Sequence, residues 1–89
     1  MNNSEYVFKK VSRILEESYD VSDVHIDSIL SNGEKGLDLD SFEIVSLIIE
    51  IEKEFDIVID FDVLFITVED IVEEICRIIE EKKTVLNEG

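Results

Sequence analysis

The stretch that decides the fold is LDLDSFEIVSLIIEIEKEFDIVID, Leu37 to Asp60. Its β-branched residues Ile44, Val45, Ile48, Ile49, Ile51, Ile57, Val58 and Ile59 favour a strand by propensity. The period decides against that for the first part: alternation of two fails at Leu47-Ile48-Ile49. At about 100° per residue, Ile44, Leu47, Ile48, Ile51 and Phe55 fall in one stripe, the pattern of a core-facing helix over Ser41 to Phe55. Phe42, Val45 and Ile49 form a second cluster displaced by about 130° on the same geometry. A one-sided core does not require it. Asp40 is a good N-cap and Glu43 stands three residues on, so the helix opens on a capping box and Ser41 falls in its first turn.

Two further helices follow from the same period. From Glu5 to Tyr19, Val7, Phe8, Val11, Ile14 and Leu15 recur at helical spacing, with Asn2 and Glu5 at the offset of a capping box. Thr67 and Asp70 repeat that offset before the stripe of Val68, Ile71, Val72, Ile75, Ile78 and Ile79. Between the first two helices, Asp20 to Asp40 holds Gly33, Gly36 and scattered aliphatic residues. It reads as a long loop packed on the core, with a short turn of helix around Ser28 to Ser31. Asp60 to Ile66 reads as a short extra helix or an irregular corner, and 83–89 as a flexible tail. The expected fold is all-α: one domain over 1–89, a bundle of three main helices, a short or absent extra helix and a long first loop.

Composition narrows the function. Eighty-nine residues give a core but little room for a water-excluded cleft. Twenty-three acidic residues against eight basic give a formal charge of −15, which repels nucleic acid and anionic membranes and favours partners with basic surfaces. The single cysteine, Cys76, excludes an intramolecular disulfide, and it reads as a half-buried packing residue. The polar start MNNSEY lacks a signal-peptide pattern, so the cytoplasm is the expected compartment, without membrane insertion. A serine nucleophile needs a base and oxyanion donors, yet His25 is the only imidazole and no glycine-rich elbow surrounds Ser41. Asp38 and Asp40 lack the glycine and terminal glutamate of a calcium loop, so no metal site is expected.

Asp40-Ser41-Phe42, followed by Glu43-Ile44-Val45 and an apolar helix ending Glu54-Phe55-Asp56-Ile57, resembles the acyl carrier protein family. In that family an Asp-Ser-Leu motif at the start of the second helix carries 4′-phosphopantetheine on the serine. The resemblance covers most of the chain. It implies a non-catalytic carrier, with Ser41 as the attachment point, Asp40 as its motif neighbour and coenzyme A as the donor of the prosthetic group. It implies a phosphopantetheinyl transferase of the holo-carrier synthase type as one partner. Acyl-transferring or ligating enzymes with basic docking patches would be others, meeting Phe42, Glu43, Val45, Ile49, Glu50 and Glu52 on a monomeric carrier. An acyl chain would retreat among residues such as Ile44, Leu47, Ile48 and Ile71.

The departures from the family pattern bear on pathway. Phe42 in place of leucine is similar to D-alanyl carriers and to stand-alone carriers of specialised lipid, polyketide or related pathways. Ser46 and Lys53 stand where fatty-acid carriers usually place docking glutamates. Aminoacyl or D-alanyl cargo remains open beside acyl cargo. The rival outside the family is an acidic adaptor that uses Phe42, Val45 and Ile49 with no prosthetic group.

Overall fold

The computed structural model of the chain describes residues 3–31, 36–60 and 64–88. Three helices form: α1 (Asn3–Tyr19), α2 (Ser41–Phe55) and α3 (Val68–Glu88). The expected all-α bundle is the observed one. Asn2, expected to cap α1, lies outside the described residues, as do 61–63 in the segment expected as a short extra helix or an irregular corner. Asp60 and residues 64–66 are irregular. The backbone of α3 continues as helix through 83–88, where the sequence reads as a tail.

Each helix buries one stripe. Val7, Val11 and Leu15 of α1 are fully buried, four residues apart and therefore stacked on one face. Leu47, Ile48 and Ile51 of α2 and Val68, Ile71, Val72 and Ile75 of α3 join them in one core, completed by Leu30, Leu39, Ile57, Ile59 and Phe65 from the connections. The backbone of α1 approaches both other helices, but among the described residues no Cα of α2 lies within 8 Å of α3. Long aliphatic residues on both facing stripes suit that separation.

The long loop is held by main-chain pairing rather than by helix. The short helical turn expected at Ser28 to Ser31 does not form; Ile29 instead bridges Gly36 in parallel and Thr67 in antiparallel sense. The N–H of Leu30 donates to the Ile66 carbonyl at 2.9 Å, and the Leu30 carbonyl accepts from the N–H of Leu39 at 2.9 Å. A turn at Ile26-Asp27, closed by Ser28 N–H on the His25 carbonyl at 3.1 Å, leads into the bridge at Ile29, and the pairing satisfies main-chain groups that would otherwise be buried without partners.

The same pairing caps α3. Val68 N–H donates to the Ser28 carbonyl at 2.9 Å and Glu69 N–H to the Ile26 carbonyl at 2.8 Å. The expected capping box closes the rest: Asp70 N–H donates to Thr67 Oγ1 at 3.3 Å, while Asp70 Oδ2 accepts from Thr67 N–H at 3.0 Å and from Ile66 N–H at 2.9 Å. These bonds to the ionised carboxylate, led by that from Ile66, hold Asp70 below the usual aspartate pKa.

Aspartates make the reversals of direction. Asp20, Asp23, Asp38 and Asp56 have φ between 54° and 59°, the left-handed region where glycine is commonest. A short polar side chain makes aspartate tolerable there. Asp56 ends α2 in this conformation, with Ile57 N–H returning to the Glu52 carbonyl at 3.1 Å.

Candidate functional site

The start of α2 has the expected capping box. Asp40 is extended at φ −83° and ψ 176°, its Oδ1 accepts the Glu43 N–H at 2.8 Å, and Glu43 Oε1 accepts the Asp40 N–H at 3.0 Å. Helical geometry therefore begins at Ser41, which is exposed in the first turn. The capping box serves only the third helical amide. Among the described residues, the N–H groups of Ser41 and Phe42 have no hydrogen-bond partner, whereas the first three amides of α3 are all satisfied by the protein. The two helices thus differ: α3 is closed at its positive end and α2 is open there.

The two faces of α2 separate as the period requires. On the core face, Leu47 and Ile51 are fully buried, Ile48 is 7% exposed, and Ile44 and Phe55 are half-buried against the core. On the other face, Phe42 is 87%, Val45 43% and Ile49 40% exposed, with Ser46 and Lys53 also exposed. The second apolar cluster starts beside Ser41 and runs along the helix. Of the four candidates for lining an acyl site, Leu47, Ile48 and Ile71 are buried and Ile44 is half-buried, all within the single core.

The three glutamates expected as a docking rim have intramolecular tasks. Glu43 closes the capping box. Glu50 Oε2 accepts the Ser18 hydroxyl at 3.0 Å, which ties α2 to the end of α1. Glu52 Oε2 accepts the Ile59 N–H at 2.7 Å, which fixes the connection after the helix. The rim remains acidic in charge, but these carboxylates are oriented by the fold. Helical position alone gave no sign of this, since Ser18 and Ile59 are placed by tertiary structure. The exposed Asp38 and Asp40 supply negative charge nearer Ser41.

The remaining candidates are structural. His25 Nε2 lies 3.1 Å from Asp23 Oδ1, and the His25 N–H donates to Ser28 Oγ at 2.9 Å, so the imidazole sits in an ordered turn of the long loop. Cys76 is half-buried, and burial first, then the charge of Glu80, pushes its thiol above the ordinary value. No helix of the described residues is long and apolar enough to cross a membrane.

The sequence matches no family model and no curated protein sequence. The reading of the site rests on its residues and geometry.

Proposed function

We propose that this protein is a carrier that holds acyl intermediates as thioesters on 4′-phosphopantetheine attached to Ser41 and delivers them to partner enzymes. The observation that carries the proposal is the start of α2: an exposed serine in an Asp-Ser-Phe turn, followed by amides that the protein leaves open. A phosphodiester on Ser41 Oγ suits that position, because the unpartnered N–H groups of Ser41 and Phe42 and the helix dipole favour an anion. The Asp40 carboxylate stands beside that position with its Oδ1 turned to the Glu43 amide.

The prosthetic group, when attached, supplies a thiol on a flexible arm, a handle for activated acyl groups that a serine hydroxyl does not provide. The chain contributes the rest. Ser41 anchors the arm, and the capping box fixes the turn that presents it. Phe42, Val45 and Ile49 give an apolar face beside the anchor for docking enzymes, which makes delivery local. Leu47, Ile48 and Ile71 belong to one core with Ile44 packed against it, and the backbones of α2 and α3 stay apart, which supports a retreat of longer acyl chains among them. Phe42, Ser46 and Lys53 point to a specialised lipid, polyketide or related pathway rather than to housekeeping fatty-acid synthesis. Carriage of aminoacyl groups uses the same anchor.

Intact mass after incubation with coenzyme A and a phosphopantetheinyl transferase tests the proposal. The native chain is expected to gain one phosphopantetheinyl group and Ser41→Ala none. A native chain that stays unmodified while a control carrier is loaded would leave the acidic adaptor as the better reading.

A further inference from the structure

Burial and hydrogen bonding divide α2 unequally. From Leu47 onward the helix is tied to the rest of the molecule: Leu47, Ile48 and Ile51 are buried, Glu50 accepts the Ser18 hydroxyl, Glu52 accepts the Ile59 amide, and Glu54 pairs with Lys10. The Phe55 ring meets that of Tyr6 edge-on, with centroids 6.4 Å apart. The six residues from Ser41 to Ser46 lack such ties. Among the described residues they make no side-chain hydrogen bond or ion pair beyond the capping box of Asp40 and Glu43, and the half-buried Ile44 is their one residue packed on the core. In α3 the first residue, Val68, is already fully buried and its amide is bonded to Ser28.

The sequence weakens the same six residues. In Ser-Phe-Glu-Ile-Val-Ser only Glu43 is a good helix former; Ile44 and Val45 are β-branched, and serine and phenylalanine also rank low. The first two turns of α2 thus stand between two anchors, Leu39, whose N–H is bonded to Leu30, and the buried Leu47. The capping box holds the Glu43 amide, while those of Ser41 and Phe42 stay open.

We infer that Ser41 to Ser46 is a switch segment, in equilibrium between helix and an opened first two turns while Ser41 is bare, and helical once Ser41 carries an anion. A phosphodiester or phosphate on Ser41 Oγ gives the two open amides a charged acceptor at the positive end of the helix dipole. Weak propensity and sparse tertiary ties let that gain decide the balance. The state of Ser41 is thereby written into the order of Phe42 and Val45 beside it, while the core from Leu47 onward is undisturbed. As regulation of loading the inference rests on the carrier reading. The response to an anion does not.

Backbone Cα and carbonyl chemical shifts of the full chain read the helical fraction residue by residue. With Ser41 bare, 42–46 should fall short of the helical values that 48–54 reach. Phosphoserine installed in place of Ser41 through an expanded genetic code should raise the ratio of helix to open form at 42–46 about fivefold and leave 48–54 unchanged. Ser46→Ala, at an exposed position, should raise that ratio about twofold with Ser41 bare. Full helical shifts at 42–46 in the bare chain, no response to phosphoserine or to Ser46→Ala, or a response spread evenly over 42–54 would overturn the inference. Treatment with coenzyme A and a phosphopantetheinyl transferase, followed by intact mass and the same shifts, separates the two questions. A chain that loads without a change at 42–46 refutes only the switch, and one that orders with phosphoserine but never loads refutes only carriage.

Discussion

The carboxylate of Glu52 accepts the backbone N–H of Ile59, seven residues on, at 2.7 Å, while the carbonyl of Glu52 accepts the N–H of Ile57. One residue thereby holds two amides of the connection that leaves α2. Ile57 and Ile59 are buried and Val58 between them is 82% exposed, the alternation of an extended segment lying on the core. Glu52→Ala should destabilise the protein by about 1–2 kcal/mol, because a part-buried amide loses a charge-assisted acceptor. Glu52→Gln, which keeps an acceptor oxygen, should recover roughly half of that. Urea melts of both variants check this, and a Glu52→Ala protein as stable as the native one would return the residue to a purely docking role.

Asp70 links α3 to the acid limb of stability. Its folded pKa lies below the ordinary value of 3.8, first through the bond from Ile66 N–H and then through that from Thr67 N–H. For a carboxylate lowered by folding, the stabilisation is complete above the unfolded value and is lost as pH falls through the folded one. Native stability should therefore decline below about pH 4 in part because of Asp70. Asp70→Asn, which keeps an acceptor oxygen but loses the charge, should cost about 0.5–1 kcal/mol at neutral pH and flatten that decline. Melts from pH 2 to 7 on both proteins would reveal parallel acid limbs if Asp70 is not involved.

The two faces of α2 should respond differently to truncation. Ile48→Ala removes methyl groups from the core and is expected to cost about 2–5 kcal/mol. Val45→Ala and Ile49→Ala, at 43% and 40% exposure, should each cost about 1 kcal/mol or less. Both should nevertheless slow modification of Ser41 by the transferase. Equal losses of stability at all three positions, with unaltered modification rates, would make both faces core.

Salt should stabilise the fold. Nine carboxylates lie between Asp38 and Asp62 with Lys53 as the only cation in that span. Among the described residues, help from outside comes from Lys10, in its ion pair with Glu54, and from Lys82, whose ammonium donates to the Asp56 carbonyl. Raising ionic strength from a few millimolar should lift the melting temperature by screening this repulsion. A melting temperature that is flat or falling across the titration would show that the repulsion does not matter.

What was legible in the sequence was local. The capping boxes at Asp40–Glu43 and Thr67–Asp70 each need only two residues three apart, and the two faces of α2 follow from residues within four turns of one helix. The loop was misread where its partners are remote: Ser28 to Ser31 reads as a turn of helix, yet Leu30 is paired with Ile66 and Leu39, neither visible in a local window. That Glu50 and Glu52 also hold the fold together was not visible for the same reason. Their acceptors' partners, Ser18 and Ile59, are brought to them by the packing of α1 and by the left-handed turn at Asp56. An aspartate in that conformation leaves a weaker mark on the sequence than a glycine would.

Leu30 holds both ends of the same excursion. Its N–H reaches Ile66 and its carbonyl receives Leu39, so the span from Asp40 to Phe65, with all of α2, is closed at its base by one residue. An opening of α2 would have to part Leu47, Ile48 and Ile51 from the core and break the Ser18–Glu50 and Lys10–Glu54 contacts, yet it would leave the pairs of Leu30 intact, a sub-global opening rather than unfolding. Native-state hydrogen exchange should then divide the chain, with the amides of α2 exchanging together ahead of Leu30, Leu39 and the buried turns of α1 and α3. Exchange of α2 in step with those amides would exclude the hinge. The fold would work less as a rigid bundle than as a frame with one leaf, hung on Leu30.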